Sequence, residues 1–164
     1  QCPHCFTTLK NDYSELGADL DVVHHSQFIG QLVSEGKIKP KSWMDEDVTY
    51  HDACYLGRHN DEYDAPRDVI QSVMRDGELK EMEQSKEKSF CCGAGGGNMW
   101  YEIKTGDRIN QNRFEQAAET GATTVATACN FCNIMMEDGM KVTGNDEKMK
   151  VVDIAELVAQ SFTK

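Results

Sequence analysis

The chain has 164 residues, 28 of them acidic against 17 basic, and its formal charge of -11 is spread along the whole length. That length suits one domain, or one domain plus a fragment of a neighbour, and buries enough surface to fold without disulfides. The acidity argues against nucleic acid as a partner, since a phosphate backbone requires a cationic face, and no apolar run is long enough to span a bilayer.

Short β-branched runs alternate with amphipathic stretches, the pattern of α/β units. In chain order, Leu20 to His24 reads as a strand and Ser26 to Ser34 as a helix with Ser26 as its N-cap. Val48 to His51 is a second strand. Pro66 suits the first turn of a helix running to about Met74, and Leu79 to Met82 returns as a strand. Asn98 to Thr120 reads as a helix weakened at Gly106, with Gly121 as its C-cap. Thr123 to Thr127 is a strand, Asn130 to Met140 a helix, Lys150 to Val152 a strand and Ile154 to Phe162 the last helix.

A repeat underlies these elements. "CPHC" at Cys2 to Cys5 is followed, after a polar interval, by "LDVVHHSQFIGQLV"; "CNFC" at Cys129 to Cys132 is followed, after nearly the same interval, by "MKVVDIAELVAQSF". Both read as Cys-x-x-Cys, helix, polar loop, Val-Val strand, helix. Residues 1–46 are therefore expected to close one repeat and residues 47–164 to form a complete second one, as the C-terminal piece of a longer protein.

The seven cysteines are an odd number in a chain with no signal-peptide pattern, so the thiols are expected to be reduced ligands or redox groups in the cytoplasm. In the complete repeat, 36 residues separate Cys54 from Cys91 and 36 separate Cys92 from Cys129. Each interval holds about one helix and one strand, which returns all three clusters to one end of a sheet. Cys54 and Cys129 each follow a strand and precede a helix, so that end is the carboxyl edge. Thiols at helix N-termini ionise readily, and gathered thiolates call for a cation. The adjacent pair Cys91 and Cys92 can serve one centre only if the backbone turns, and Gly93 permits that turn. Gly95, Gly96 and Gly97 would then bring bare N–H groups to an anionic iron–sulfur core. Zinc held by four of the thiols, a vicinal disulfide and a metal-free dithiol centre are the alternatives.

Cys54, then "CCG" at Cys91 to Gly93, then "CNFC" at Cys129 to Cys132, in that order and at those intervals, resemble the cysteine-rich CCG domain of heterodisulfide reductase B and D subunits. The same domain occurs in the C subunit of anaerobic glycerol-3-phosphate dehydrogenase, in lactate-utilisation iron–sulfur proteins and in membrane-associated iron–sulfur oxidoreductases linked to acyl-CoA oxidation. "YHDACYLGRHNDEYDAPRDVI" and "CCGAGGGNMW" most resemble the last group and the D-type subunits. The resemblance implies a Rossmann-like α/β repeat with a mostly parallel sheet, usually present twice, and a four-iron (4Fe-4S) cluster of non-cubane form in the heterodisulfide reductases. It makes Cys54, Cys91, Cys92, Cys129 and Cys132 ligands of one cluster, and Cys2 and Cys5 ligands of a second cluster completed elsewhere. The chain departs from the pattern at Ala53, where proline is usual, and at Asn98, where arginine is expected.

Among other residues, His51 and His59 flank Cys54 and are candidates to deliver protons, with His24 and His25 behind them. Arg58 and Arg67 are surface charges or anion binders, Trp100 and Tyr101 would pack over the cluster, and Met135, Met136 and Met140 fill the core. The expected function is electron transfer in a heterodisulfide-reductase-like oxidoreductase, between a ferredoxin-type iron–sulfur domain or subunit and a small-molecule disulfide, a quinone or an organic acceptor. A zinc-stabilised interaction domain is the alternative. The expected location is cytoplasmic, with any membrane association made through other parts of the full-length protein.

Overall fold

The structure is a computed structural model and describes residues 1–101 and 105–163. It begins with α1 (Pro3–Thr7), a π-turn over Thr8–Asp12 and the single turn α2 (Tyr13–Glu15), followed by α3 (His25–Ser34). Next come β1 (Val48–His51), α4 (Gly57–Asn60), α5 (Asp64–Gln71) and β2 (Leu79–Lys80). After 3₁₀ turns at Lys86–Lys88 and Gly95–Trp100 the chain forms α6 (Ile109–Glu119), β3 (Thr124–Thr127), α7 (Asn130–Val142), β4 (Lys150–Asp153) and α8 (Ile154–Gln160).

The strands form one parallel sheet in the order β2-β1-β3-β4, with Val48 opposite Thr124 and Thr124 opposite Lys150. Alternate side chains leave a strand on opposite faces, and both faces here are covered. Val48, Tyr50, Ala126 and Val152 pack against Val69, Ile70 and Val73 around α5 and against Ile154, Leu157 and Val158 of α8. Val125 and Val151 turn the other way, onto Phe114 and Ala117 of α6 and Met136 and Met140 of α7. Burying each of the Val, Leu, Ile, Phe and Met side chains among these contributes roughly 1.5–3 kcal/mol. The chain leaves β1 towards β2 on one side, whereas it leaves β3 towards β4 on the other. This divergence opens a crevice beyond the carboxyl ends of the two central strands, where α/β sheets bind ligands.

The expected α/β class with a parallel sheet is therefore what forms, but several elements differ. Leu20 to His24 forms no strand and pairs with none of the four that do. His24, not Ser26, caps α3: its Nδ1 accepts from the Ser26 N–H at 3.4 Å while its own N–H donates to Gln27 Oε1 at 3.1 Å. Helix α5 stops at Gln71, short of Met74, and β2 stops at Lys80, short of Met82; at the next position the Glu81 carboxylate accepts from Arg67. The long helix expected over Asn98 to Thr120 is not continuous. Gly96 and Gly97 take left-handed φ values of +67° and +77° and Gly106 takes +76°, so α6 begins only at Ile109; the part of that expectation on residues 102–104 lies outside the described residues. Gly121, at φ +74°, does end α6.

Candidate metal centre

The crevice is built from three separate stretches. Cys54 lies in the turn after β1, Cys129 follows β3 by two residues and is the N-cap of α7, and Cys132 occupies the first turn of that helix. Cys91 and Cys92 arrive on the segment before the Gly95–Trp100 turn. All five line one cavity, together with Ala53, Tyr55, Phe131, Ala94, Gly95, Pro3 and His4. The space they enclose is about 30 Å³, room for about two waters. The sulfurs thus face one another closely. A larger open groove of about 570 Å³, lined by Glu81, Glu83, Glu115 and Glu119, contains neither thiol nor imidazole and is a solvated acidic face.

The adjacency of Cys91 and Cys92 is solved at Gly93. It takes φ +90°, and its N–H donates to Cys91 Sγ at 3.2 Å. A Cβ there would also meet the Asn110 nitrogen and Ile109 Cβ at a tight 3.2 Å, so the conformation calls for glycine and the space leaves little room for more. Gly95 lines the cavity, whereas Gly96 and Gly97 continue the turn away from it.

The thiols share their protons unevenly. Cys92 is the strongest anion: hydrogen bonds from the Cys132 and Cys91 thiols push its pKa far down against the opposing effect of burial, and His51 adds to this. Cys91 is pushed up by donating to Cys92 and by burial, and Cys132 by its hydrogen bonds with Cys129 and Cys92. Cys129 is lowered by the Cys132 thiol and by the Cys132 and Phe131 backbone N–H groups at the start of α7. Burial, then Cys92, raises Cys54. A cation would relieve this competition and release all the thiol protons.

A buried polar frame, which the sequence reading missed, holds the loops. Asp52 is paired with Arg67 through bonds of 2.8 and 3.0 Å, and Arg67 also reaches Glu81 at 2.6 Å. The Lys86 N–H donates to Asp52 Oδ2, and Ser89 Oγ donates to the Asp52 carbonyl at 3.1 Å. Arg58 holds the Ser89 carbonyl at 2.6 Å. Arg113, fully buried, donates to His51 Nδ1 at 2.9 Å and to Ser89 Oγ at 3.2 Å. Burial lowers its pKa to about 10, which leaves it charged at neutral pH. Arg67 is thus neither a surface charge nor an anion binder but a structural tie.

The remaining candidates divide. His51 is buried, and one of its ring nitrogens lies with Cys92 Sγ and Cys132 Sγ in a set whose atoms are all within 4.8 Å of one another. His59 is exposed and does not line the cavity; it stacks on Tyr55 with ring centroids 4.2 Å apart. His4 covers the other side of Tyr55 at 4.1 Å. Pro3 and His4 reach the cavity, but the thiols of Cys2 and Cys5 do not, and Cys5 is exposed. His25 bonds Asp153 at 3.2 Å, away from the thiols. Trp100 and Tyr101, expected to pack over the site, are 78% and 71% exposed because the glycine turn carries them outward. Met135, Met136 and Met140 are buried in the core.

Residues 48–137 match the family described as CCG, cysteine-rich domain. The chain is 42% identical over 159 residues to the "Probable iron-sulfur-binding oxidoreductase FadF" of Bacillus subtilis, covering 97% of this chain and 22% of that protein. It is 43% identical over 164 residues to the EtfAB:quinone oxidoreductase of Syntrophomonas wolfei, covering 96% and 23%. To the D subunit of the dihydromethanophenazine:CoB–CoM heterodisulfide reductase of Methanosarcina barkeri it is 37% identical over 164 residues, covering 98% and 39%. The chain thus spans between about a fifth and two fifths of the length of these relatives.

Proposed function

The chain belongs to the CCG, cysteine-rich domain family, and from that premise we propose that it is the iron–sulfur electron-transfer domain of a larger oxidoreductase. The observation that carries this reading is the convergence of five thiols, drawn from three distant stretches, on one cavity at the carboxyl edge of the central strands. Cys54, Cys91, Cys92, Cys129 and Cys132 would hold the cluster, with the Gly93 turn aiming the vicinal pair and Gly95 leaving its main-chain N–H bare beside it. A four-iron cluster supplies the one-electron chemistry and, with an open iron, a site for a substrate sulfur. Five thiols exceed the four that structural zinc takes, which favours iron over the zinc-stabilised domain.

Residues 1–46 would close a preceding repeat, with Cys2 and Cys5 serving a second centre completed outside this chain. Electrons would pass between a ferredoxin-type domain or subunit and the acceptor. A disulfide taken to two thiols consumes two electrons and two protons, and a quinone taken to its quinol requires the same. His59, exposed beside Tyr55, is placed to exchange such protons with water. The names of the relatives support a disulfide or a quinone as acceptor. No helix among the described residues is long and apolar enough to cross a membrane, so any membrane attachment would be made by other parts of the protein.

The test is anaerobic purification followed by iron, acid-labile sulfide and zinc assays and electron paramagnetic resonance, with and without a candidate thiol. Iron and sulfide in comparable amounts, with a thiol-sensitive signal, are expected. Zinc alone at full occupancy after anaerobic reconstitution would overturn the reading.

A further inference from the structure

His51, Cys92 and Cys132 have the look of a three-ligand metal site, since all are buried and their ligand atoms lie within 4.8 Å of one another. The partner of the imidazole argues otherwise. A metal-bound histidine gives its lone pair to the metal and donates its other ring N–H to a carboxylate, carbonyl or water. Here the other ring nitrogen meets a donor: Arg113 Nε–H points at His51 Nδ1 at 2.9 Å. A guanidinium has five N–H groups and no acceptor, so Nδ1 accepts and the neutral ring carries its hydrogen on Nε2. Arg113 cannot easily turn away, because Nη1 bonds the Gln84 carbonyl at 2.9 Å and Gln116 Oε1 at 2.7 Å, and Nη2 bonds Ser89 Oγ at 3.2 Å.

We propose that Arg113 is a positioning residue that locks His51 with its hydrogen on Nε2, making His51 a hydrogen-bond donor to the cysteine sulfurs and neither a metal ligand nor a proton carrier. Nδ1 is occupied by Arg113, so Nε2 is the nitrogen left for Cys92 and Cys132. An N–H aimed at a ligand sulfur favours the more negative, reduced state of a cluster and raises its potential. This consequence rests on the iron–sulfur reading above, whereas the placement of the hydrogen does not. The glycine turn aims the vicinal thiols, and the Arg113–His51 pair sets how readily they carry charge.

Two measurements test it. In the chain labelled with ¹⁵N-histidine, kept reduced and metal-free, long-range proton–nitrogen correlation is expected to show the His51 hydrogen on Nε2; a hydrogen on Nδ1 overturns the proposal. In the anaerobically reconstituted full-length protein, His51→Leu and Arg113→Met are expected to keep wild-type iron and sulfide. Poised at the wild-type midpoint, both shift the reduced-to-oxidised ratio about tenfold towards oxidised, the scale of one hydrogen bond to a charged group. His51→Gln, whose amide N–H falls near the Nε2 position, stays within about twofold of wild type. Loss of iron in His51→Leu, or equal behaviour of the Gln and Leu variants, overturns the donor role. If wild-type protein takes up no iron, the iron–sulfur reading has failed, and the nitrogen correlation still decides where the hydrogen sits.

Discussion

The two Cys-x-x-Cys units have the same spacing and each starts a helix, yet they occupy opposite environments. Cys129 and Cys132 are buried at the head of α7, which runs from Asn130 to Val142, directly after a central strand. Cys2 and Cys5 flank the start of α1, a helix of five residues, and Cys5 is exposed. In the first case β3 delivers the motif to the crevice and the other thiols meet it there. In the second, only Pro3 and His4 touch the cavity. Spacing sets the local turn, but the fold around the motif decides whether its thiols reach the cavity.

Loss of one buried thiol breaks or confirms this contrast outright. Cys132→Ser should reduce bound iron to below about a tenth of wild type, because ligand loss couples directly to metal affinity. Cys5→Ser in this chain should leave the iron-to-chain ratio unchanged. Equal loss in both variants, read by iron and sulfide assay after anaerobic reconstitution, would mean that both motifs serve one centre.

The ties that hold the N-terminal motif and the Cys91–Cys92 loop differ next. Asp52 fixes the Cys91–Cys92 loop through Arg67, Lys86 and Ser89, and its side chain is 3% exposed. Asp52→Ala leaves Arg67 without its buried partner and should cost about 3–5 kcal/mol in urea unfolding. The N-terminal motif is tethered by Asn60, whose Nδ2 donates to Thr7 Oγ1 at 2.7 Å and to the Tyr55 carbonyl at 2.6 Å. These are neutral bonds, and Asn60→Ala should cost only about 1–2 kcal/mol. A larger loss from Asn60→Ala would show that the N-terminal arm is as integral to the fold as the sheet.

Acid should loosen the arm before the sheet. His24 is buried, and desolvation, reinforced by His25, depresses its pKa to about 3 from an ordinary 6.5. The unfolded arm therefore binds the proton first, so the stabilisation is whole above about pH 6.5 and declines as the pH falls towards 3. Between pH 6.5 and 5 the loss should be about 2 kcal/mol. Hydrogen exchange at α3 measures it, and His24→Asn should flatten the slope. Equal acid sensitivity at β1 and β3 would dissolve the distinction between arm and sheet.

The same division governs what could be read from the sequence. Strands β1, β3 and β4 and the meeting of five cysteines were legible because a buried parallel strand is a continuous β-branched run and the cysteine intervals each hold one strand and one helix. Leu20 to His24 carries the same Val-Val signal, but propensity cannot supply a neighbouring strand. Arg113, Asp52 and Ser89 were missed for a different reason. A charged side chain buried by partners 62 or 15 positions away looks, in sequence, like any solvated charge. Trp100 and Tyr101 were misplaced because a helix was expected to start at Asn98, where the left-handed Gly96 and Gly97 lead instead into a 3₁₀ turn that leaves both rings exposed.

The smallest prediction compares the two helices that follow the motifs, since His24 caps α3 where Asp153 caps α8, and the caps meet through His25. Asp153 Oδ1 accepts from the Ala155 N–H at 2.9 Å and from His25 Nε2 at 3.2 Å. Burial opposes its charge, but the hydrogen bonds from His25 and Ala155 prevail and hold the carboxyl below its usual range. That stabilisation is present above about pH 4 and is lost as the pH falls through the lowered value. Asp153→Ala removes both bonds and should cost about 1 kcal/mol. Asp153→Asn keeps an acceptor for the Ala155 N–H and should cost a few tenths of that figure at pH 7, with its deficit vanishing in acid. If Asn costs as much as Ala, the charge towards His25 outweighs the cap, and the joint between the two helices is electrostatic rather than a matter of capping geometry.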